Sequence, residues 1–312
     1  MPDNLDLPSR LRDLKPKLKQ PNSAAVLDKW IAKAEQDLEL DESGRLGWLV
    51  ASTVATAALQ RALAVDGGAR FLLKGGTMLQ HRLSVPTRAT KDVDGLVRGD
   101  LESFIADLDE ILAEPWGPVG FGLGEIEVID VPTKAIKPRR FQLTLTLRGV
   151  TWRKVQVEVS PDEGSAGGSF EVFAAPELAG FGLSAPEVLV GLAIRYQIAH
   201  KIHASTDPHR PPAVVNDRAR DVVDLLLLKD LAENTGAPAP TEILAAARDI
   251  FAARAMEAAA LGRTGRAWPP TLVAHSHWDA DYAKAANSAR VTVPLGQAIS
   301  DLNAWIDRIA GA

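Results

Sequence analysis

The sequence contains no cysteine, and this absence excludes disulfide bridges and all thiolate chemistry. It also contains no apolar run near the roughly 20 residues that a helix needs to cross a bilayer. The polar stretch of residues 1–20 does not have the pattern of a signal peptide. We therefore expect a cytoplasmic protein without membrane contacts, and nothing in the sequence requires more than a monomer.

The composition that remains is ordinary for a soluble globular protein, since 46% of the residues are hydrophobic and 24% are charged. A chain of 312 residues can hold two domains, or one core with appended helices. Its net charge of −5 argues weakly against nucleic-acid binding over the whole surface. Any contact with nucleic acid is therefore expected to be local.

One segment of the chain is strongly basic. Residues 133–154 contain seven basic residues and no acidic residue. The seven are Lys134, Lys137, Arg139, Arg140, Arg148, Arg153 and Lys154. This concentration is compatible with a contact to RNA or to a triphosphate at one place, made by Lys137, Arg139 and Arg140. A charged strand face that is merely exposed to solvent is the alternative.

Two short motifs indicate a nucleotidyl-transfer site. Gly75 and Gly76 follow an apolar run and precede Thr77, so backbone N–H groups can approach phosphates and a hydroxyl can donate to them. Asp92 and Asp94 share one face of a predicted strand, where paired carboxylates suit Mg²⁺. The glycines are not a P-loop, because the lysine precedes them. Taken singly, the motifs could be an ordinary turn and a surface acidic pair.

Later segments add further candidate residues. Glu158 lies on an alternating strand and is a candidate third carboxylate, although it could also face solvent. Asp217, Asp221 and Asp224 have the i, i+4, i+7 spacing of one helix face. Three like charges in a stripe repel one another unless a cation meets them. Lys201, an arginine or a metal could be that cation.

The periodicity of apolar residues predicts an α+β fold with a mixed sheet and helices against one face. We expect strands near 71–73, 92–97, 141–147 and 154–159, and helices near 23–38, 44–64, 77–83, 100–113, 218–231, 241–260 and 296–309. Ser184-Ala185-Pro186-Glu187 has the pattern of a capping box and predicts a helix from there to about residue 204. Asp217 is expected to cap the helix that follows it. The predicted parts are an N-terminal extension at 1–40, a core at 41–180 and a helical lobe at 181–312.

In chain order, several segments resemble the AbiEii-type nucleotidyltransferase toxins, and the mycobacterial MenT members in particular. These segments are Lys74-Gly75-Gly76-Thr77, Thr90-Lys91-Asp92-Val93-Asp94, Val157-Glu158-Val159, Lys201-Ile202-His203-Ala204 and Asp217-Arg218-Ala219-Arg220-Asp221-Val222-Val223-Asp224. Lys137-Pro138-Arg139-Arg140-Phe141 and Trp268-Pro269-Pro270 also resemble that subgroup. The resemblance covers about residues 40–310. Thr77 stands where the family more commonly has serine, a change that keeps the hydroxyl.

The resemblance implies a polymerase-β-like nucleotidyltransferase core with a helical C-terminal lobe, in a bilobed toxin of a type IV-like toxin–antitoxin pair. Family members transfer nucleotides from NTP, often pyrimidine, to the 3′ acceptor end of tRNA and so block aminoacylation and translation. The implied partners are tRNA and a cognate antitoxin, and the implied cofactors are Mg²⁺ and an NTP, with CTP or UTP favoured. By the same resemblance, Asp92 and Asp94 bind the metal, and Lys201 and Asp224 are essential.

The motifs and the resemblance together predict in-line attack by an RNA 3′-hydroxyl on the α-phosphorus of an NTP. Glu158 is expected to assist deprotonation or to complete a second metal site. The residues expected to bind the nucleotide are Gly75, Gly76, Thr77, Lys91, Arg218 and Asp221. A transferase acting on a small molecule or a protein, and a catalytically inactive binding module, are the alternative functions.

Thr90 is a candidate site of regulatory phosphorylation, because it lies two residues before Asp92. A phosphate carries about two negative charges at neutral pH, and beside the metal carboxylates it would obstruct triphosphate binding. An ordinary loop threonine is the alternative interpretation of this position.

Overall fold

The computed structural model describes residues 10–40, 44–83 and 87–312, and a seven-stranded mixed sheet lies at its centre. The strands β1 to β7 span Phe71–Lys74, Asp92–Val97, Val119–Val128, Arg139–Leu147, Val150–Pro161, Phe170–Ala174 and Val188–Leu192. Their order across the sheet is β3-β4-β5-β2-β1-β7-β6. Strand β2 is antiparallel to β1 and parallel to β5, so the predicted mixed sheet and α+β class are confirmed.

Helices lie against both faces of this sheet, so the prediction of helices on one face was wrong: Leu72 and Leu96 face the side opposite to Leu73 and Val97, and they pack with Tyr196 and Ile250 from later helices. The helices are α1 Ala24–Asp37, α2 Arg45–Leu59, α3 Gly75–Arg82, α4 Leu101–Ala106, α5 Leu108–Ala113, α6 Ile194–Ser205, α7 Ala219–Thr235, α8 Pro240–Ala260, α9 Trp278–Ser288 and α10 Leu295–Ala310. Asp100 caps α4, as predicted, by accepting a hydrogen bond from the Ser103 N–H at 2.7 Å. Strands β3 and β6 and helix α9 have no counterpart among the predicted elements.

The two faces of the central strands differ in chemistry. Val93 of β2, Val157 of β5 and Phe141 of β4 are buried and belong to the main hydrophobic cluster. Because side chains alternate along a strand, Asp92 and Asp94 point to the opposite face. Helices α1 and α2 pack on β5, with α2 also contacting β4. The alternation of the sequence therefore places the apolar side chains in the core and leaves the acids beside a cleft.

The segment that follows the predicted capping box is a strand and not the start of a helix. Val188–Leu192 form β7, which lies between β1 and β6, and α6 begins only at Ile194. The prediction of a helix from 184 to about 204 was therefore wrong in its first half. Pairing on both sides, parallel to β1 and antiparallel to β6, outweighs a local capping signal, and valines favour a buried strand.

The start of α7 also differs from the prediction. The helix begins at Ala219, and within the described chain Asp217 makes no capping hydrogen bond. The hydrogen bond at the start of the helix is instead made by Asn216, whose Oδ1 accepts from the Arg218 N–H at 3.1 Å. Asp217 Oδ1 instead lies 3.0 Å from His277 Nε2.

In the part of the chain that the structure describes, no helix is both long enough and apolar enough to span a membrane.

Candidate active site

A row of charged side chains crosses four adjacent strands on the polar face of the sheet. Lys74 of β1 lies opposite Asp94 of β2, which lies opposite Glu158 of β5. Arg140 of β4 continues the row on the far side of Glu158. Paired residues of neighbouring strands project to the same face. The two carboxylates are therefore neighbours with a cation on each side, and we call these four residues the charged row.

Burial and crowding change the protonation of the acids. Burial raises the pKa of Asp94 to about 6, with Lys74 opposing this shift and Glu158 and Asp92 adding to it. The pKa of Asp92 is also raised, first by burial and then by Glu158. Gln156 Nε2 donates to Asp92 Oδ1 at 2.8 Å and so fixes its orientation. Clustered acids with raised pKa values are stabilised in their ionised form by a bound cation.

Each glycine of the turn makes room for one charged side chain. Gly75 has φ +68°, in the left-handed region, and a Cβ added there would overlap the Asp94 carboxylate. A Cβ added at Gly76 would lie 3.1 Å from Arg88 Nη2. The Gly75 N–H donates to Gln197 Oε1 at 3.2 Å. The absence of side chains at Gly75 and Gly76 thus lets Asp94 and Arg88 pack against the backbone of the turn.

Thr77 supports the strand that carries the acids. Its side chain is fully buried, and Oγ1 donates to the backbone carbonyl of Asp92 at 2.6 Å. The Thr90 hydroxyl also donates to this carbonyl, at 3.4 Å. A buried hydroxyl that is already bonded does not fit the predicted contact with a phosphate. Thr77 instead joins α3 to the start of β2, and it positions Asp92.

On the helical side, Lys201 of α6 is held between two acids of α7. Its Nζ donates to Asp221 Oδ1 at 2.8 Å and to Asp224 Oδ2 at 2.6 Å. Burial by itself lowers the pKa of Lys201, but the two carboxylates outweigh it and raise the pKa above the ordinary value. Arg218 Nη1 lies 3.8 Å from Asp221 Oδ2. Two acids of the predicted stripe, Asp221 and Asp224, are therefore met by a buried lysine, whereas Asp217 precedes the helix and does not join them.

Arg88 is a site residue that the motifs do not reveal. Its Nε and Nη2 donate to the two oxygens of Asp224 at 3.0 and 2.9 Å, which is a bidentate pair. Asp224 is fully buried and thus accepts from Arg88 and Lys201 together. Arg88 precedes β2 in a loop, so neither a strand nor a helix pattern points to it. An arginine between two motifs was the sole signal in the sequence, and it is not specific.

The two sides meet in one cavity of about 350 Å³. The sheet side of the lining includes Lys74, Gly75, Asp94 and Glu158, and the other side includes Arg88, Lys201, Arg218 and Asp221. Of the predicted site residues, the structure therefore brings these together in one lining: Gly75, Asp94, Glu158, Lys201, Arg218 and Asp221. Lys91 is exposed outside this lining, and Asp92, Gly76, Thr77 and Asp224 also lie outside it. Asp92 is linked to the lining residue Glu158 through Gln156, whose Nε2 donates to Asp92 Oδ1 at 2.8 Å and to Glu158 Oε1 at 3.3 Å.

A family model described as nucleotidyl transferase AbiEii toxin, type IV toxin–antitoxin system, matches residues 57–308. The chain belongs to this family. It is therefore a nucleotidyltransferase toxin of a toxin–antitoxin system, and the family implies a cognate antitoxin as its partner. Among solved structures, the chain is similar to MenT4, a nucleotidyltransferase toxin from Mycobacterium tuberculosis H37Rv. The identity is 17% and the TM-score 0.45, over 92% of this chain and 93% of that chain. No curated protein matches the chain significantly.

In this AbiEii toxin, the basic residues predicted to contact RNA or phosphate have acidic partners. Lys137 Nζ lies 3.2 Å from Asp130 Oδ1, and Arg139 pairs with Glu102. Arg140 donates to the glutamate of the charged row through Nε and Nη2, at 2.8 and 2.6 Å. Lys137 and Arg139 lie outside the cavity lining, so a contact with RNA at these residues would be made on the surface beside the cavity.

The cavity continues into a second group of charged residues that the sequence motifs did not indicate. Lys134 pairs with Glu163, and Glu163 Oε2 lies 2.7 Å from Arg254 Nε and 3.8 Å from His200 Nε2. Burial lowers the pKa of His200 to about 3, so its imidazole is neutral at pH 7. These contacts join the connection between β3 and β4 to α6 and α8, and all four residues line the cavity.

The donors of the site suit a hard cation that shares its ligands with a nucleotide. Mg²⁺ is usually held by one or two carboxylates together with substrate phosphates. Asp94 and Asp92 provide carboxylate oxygens on one strand, next to Glu158. Among the described residues, no three His, Asp or Glu side chains converge as a complete metal cage. The site thus fits an ion whose remaining ligands come from the triphosphate.

Proposed function

We propose that this AbiEii toxin transfers a nucleoside monophosphate from an NTP to the 3′-hydroxyl at the acceptor end of tRNA, with Mg²⁺. A pyrimidine donor, CTP or UTP, is the proposed substrate. The added nucleotide would prevent aminoacylation and thereby stop translation. The proposal adds a specific donor, acceptor and metal to the nucleotidyl transfer of the family.

One observation carries this proposal. The Asp94 carboxylate lies against the backbone of the glycine turn, beside Glu158, and the same cavity is lined by Lys201 from the opposite side. A nucleotidyl transfer needs carboxylates for a metal, cations for the phosphates and a cavity that holds both. The carboxylates of Asp94 and Glu158 and the cations Arg88 and Lys201 all line this cavity.

A few residues in and beside the cavity have a defined part in the proposed reaction. Asp92 and Asp94 would hold Mg²⁺, which supplies charge neutralisation at the phosphates. The acceptor 3′-oxygen forms a bond to the α-phosphorus while the bond from that phosphorus to the bridging oxygen breaks and pyrophosphate leaves. Glu158 uses Oε1 for Arg140 and can take the hydroxyl proton on Oε2. Lys201, held in place by its two acids, offers positive charge to the departing pyrophosphate.

The test is incorporation of labelled nucleotide into RNA. The purified chain is incubated with each of the four labelled NTPs, Mg²⁺ and bulk tRNA, and the RNA is resolved on a denaturing gel. Label on intact tRNA, lost when the 3′ end is oxidised beforehand with periodate, is the expected result. Asp94→Asn should remove the signal, and Asp109→Asn, an exposed residue of α5, should not.

Parallel reactions distinguish other acceptors. Label on the protein itself or on small molecules from a cell extract, with none on tRNA, would replace the RNA acceptor by another class. Charge reversal at Lys137 and Arg139 reports on the same question, since it should weaken transfer only when a long polyanion is the acceptor. Absence of label on every acceptor with every NTP would contradict the proposed reaction.

A further inference from the structure

Arg88 occupies a distinctive position in the cavity. Its guanidinium lies flat against Gly76, since a Cβ added there would be 3.1 to 3.3 Å from Nη2, Cζ and Nη1. The absence of a side chain at Gly76 is what allows this close approach. Arg88 also lines the cavity that Asp94 lines, so the arginine stands between the glycine turn and the buried Asp224.

The guanidinium of Arg88 uses only one of its edges. Nε and Nη2 donate to Asp224, and this edge fixes the orientation of the whole planar group. Nη1 carries two further donors, and neither forms a hydrogen bond within the described chain. A guanidinium held on one side by a carboxylate keeps a rigid pair of donors available for a phosphate on the other side.

Several other donors near the turn are already occupied. The Gly75 N–H donates to Gln197, and the hydroxyl of Thr77 donates to the carbonyl of Asp92. Two of the three Lys201 donors are taken by Asp221 and Asp224. The contacts that the sequence motifs assign to the glycine turn are thus partly used within the chain, whereas Arg88 retains free donors at the same place.

We propose that Arg88 is a substrate-binding residue that holds the β- and γ-phosphates of the NTP with its free guanidinium edge. Asp224 orients Arg88 for this contact, and Gly76 provides the space for it. The inference rests on the proposed function, because it concerns the same cavity, and it assigns to Arg88 the phosphate contact that the buried Thr77 cannot make.

The test compares ligands with and without the distal phosphates. Isothermal titration in Mg²⁺ measures the affinities of the four NTPs and of the corresponding monophosphates for the intact chain and for Arg88→Lys. Lysine keeps a positive charge beside Asp224 but cannot reach the carboxylate and a phosphate at once. We expect the triphosphate affinity to fall about 10- to 100-fold, which is the effect of losing charge-assisted hydrogen bonds. The monophosphate affinity should change less than about 2-fold.

Two further variants make the comparison specific. Arg82→Lys is the matched control, because Arg82 lies outside the cavity and its Nε is also paired with a single carboxylate, Glu171, at 3.3 Å. It should bind all ligands as the unmodified chain does. Gly76→Ala provides a second route, since its Cβ would displace the guanidinium without removing it. This variant should also weaken triphosphate binding selectively.

An Arg88→Lys protein that melts at the same temperature as the unmodified chain and binds triphosphates equally well would overturn the inference. Equal losses for triphosphates and monophosphates would also overturn it, because they would assign Arg88 a structural role alone. If Arg88→Lys does not fold, the same comparison of triphosphate and monophosphate affinities is made with Gly76→Ala. Failure of the unmodified chain to bind any of the four NTPs would instead refute the proposed function itself.

Discussion

At the scale of single residues, Asp94 combines two opposing requirements. A metal ligand must be ionised, yet burial raises the pKa of Asp94 from 3.8 to about 6. Since the folded chain binds this proton more tightly than the unfolded chain, the associated stability is present below pH 3.8 and is lost as the pH rises through about 6. At neutral pH, the ionised Asp94 therefore destabilises the nucleotide-free protein.

Asp94→Asn should consequently separate stability from activity. We expect the melting temperature at about pH 7.5 to rise, and the stability change between pH 4 and pH 6 that Asp94 causes to disappear. Nucleotide transfer should fall by roughly 100-fold or more, because the proposed metal ligand is lost. Thermal unfolding across this pH range and the labelled-tRNA assay provide the two measurements. A melting temperature below that of the unmodified chain at pH 7.5 would contradict the explanation.

Gly75 allows a second test with a matched control. Gly75→Ala places a side chain at φ +68° and also pushes against the Asp94 carboxylate. Gly99→Ala has a similar φ of +79° but meets no atom within 4 Å. Both should lose about 1–2 kcal/mol of stability from the left-handed backbone. Only Gly75→Ala should also lose transfer activity, by about 10-fold or more. Equal activities of the two variants would show that Asp94 does not need this space.

Thr90 is placed where added charge would act on the proposed metal site. Its hydroxyl donates to the backbone carbonyl of Asp92 at 3.4 Å, so a phosphate there would lie at the start of the strand that carries Asp92 and Asp94. We expect Thr90→Glu to reduce NTP affinity by about 10-fold and Thr90→Gln, of the same size without charge, to change it little. Titration of CTP and UTP measures both. If the two variants bind NTP alike, regulation by charge at this position is ruled out.

Alternation along the strands predicted which side chains would form the acidic part of the site, because strand periodicity depends only on local geometry. Asp92, Asp94 and Glu158 were found in this way. The roles of Thr77 and Arg88 were not predictable, since the direction of a side chain at a loop or a helix start depends on the elements that pack against it. The Thr77 side chain bonds to the first residue of β2, and Arg88 pairs with Asp224, which lies 136 residues further along the chain.

At the scale of elements, the packing of α6 against α7 positions Lys201. The helices enclose its ammonium between Asp221 and Asp224, and removal of either partner leaves a buried charge without compensation. Such a pair should be strongly coupled. Lys229 and Glu233 on α7 form a partly exposed i,i+4 pair at 2.8 Å and serve as the reference.

A double-mutant cycle of Lys201→Met and Asp221→Asn should give a coupling energy of about 1–3 kcal/mol in urea unfolding. The corresponding cycle of Lys229→Met and Glu233→Gln should give about 0.3–0.5 kcal/mol, as is usual for helix pairs at the surface. Equal couplings in the two cycles would mean that Lys201 is solvated and is not held by the two helices.

Strand β7 shows where element prediction failed. Its sequence follows a convincing capping pattern, but Leu73 of β1 pairs with Gly191, and Phe173 of β6 with Leu189. These partners lie more than 15 residues away in the chain, so no local window contains them. The helices that were predicted well, α8 and α10, are amphipathic or alanine-rich over four or more turns, and their signal is local.

At the scale of the whole molecule, the sheet and the core cross the boundary that the sequence predicted at residue 180. Strand β7 lies beyond this boundary and is the parallel neighbour of β1. One buried cluster contains Leu27 and Leu73 from the first part together with Ile198 and Ile306 from the second. The two parts therefore share this cluster, and a second, smaller cluster also joins Leu72 to Ile250.

A fragment of residues 1–180 should accordingly fail to fold by itself. It would expose the edge of β1 that β7 covers and the apolar surface that the later helices bury. We expect the fragment to unfold without a sharp transition in circular dichroism, while the intact chain shows one transition by circular dichroism and tryptophan fluorescence. Co-expression with residues 181–312 should restore a folded complex, because the missing strand and helices can then pair in trans. A fragment that melts cooperatively on its own would show that the first 180 residues form an independent domain.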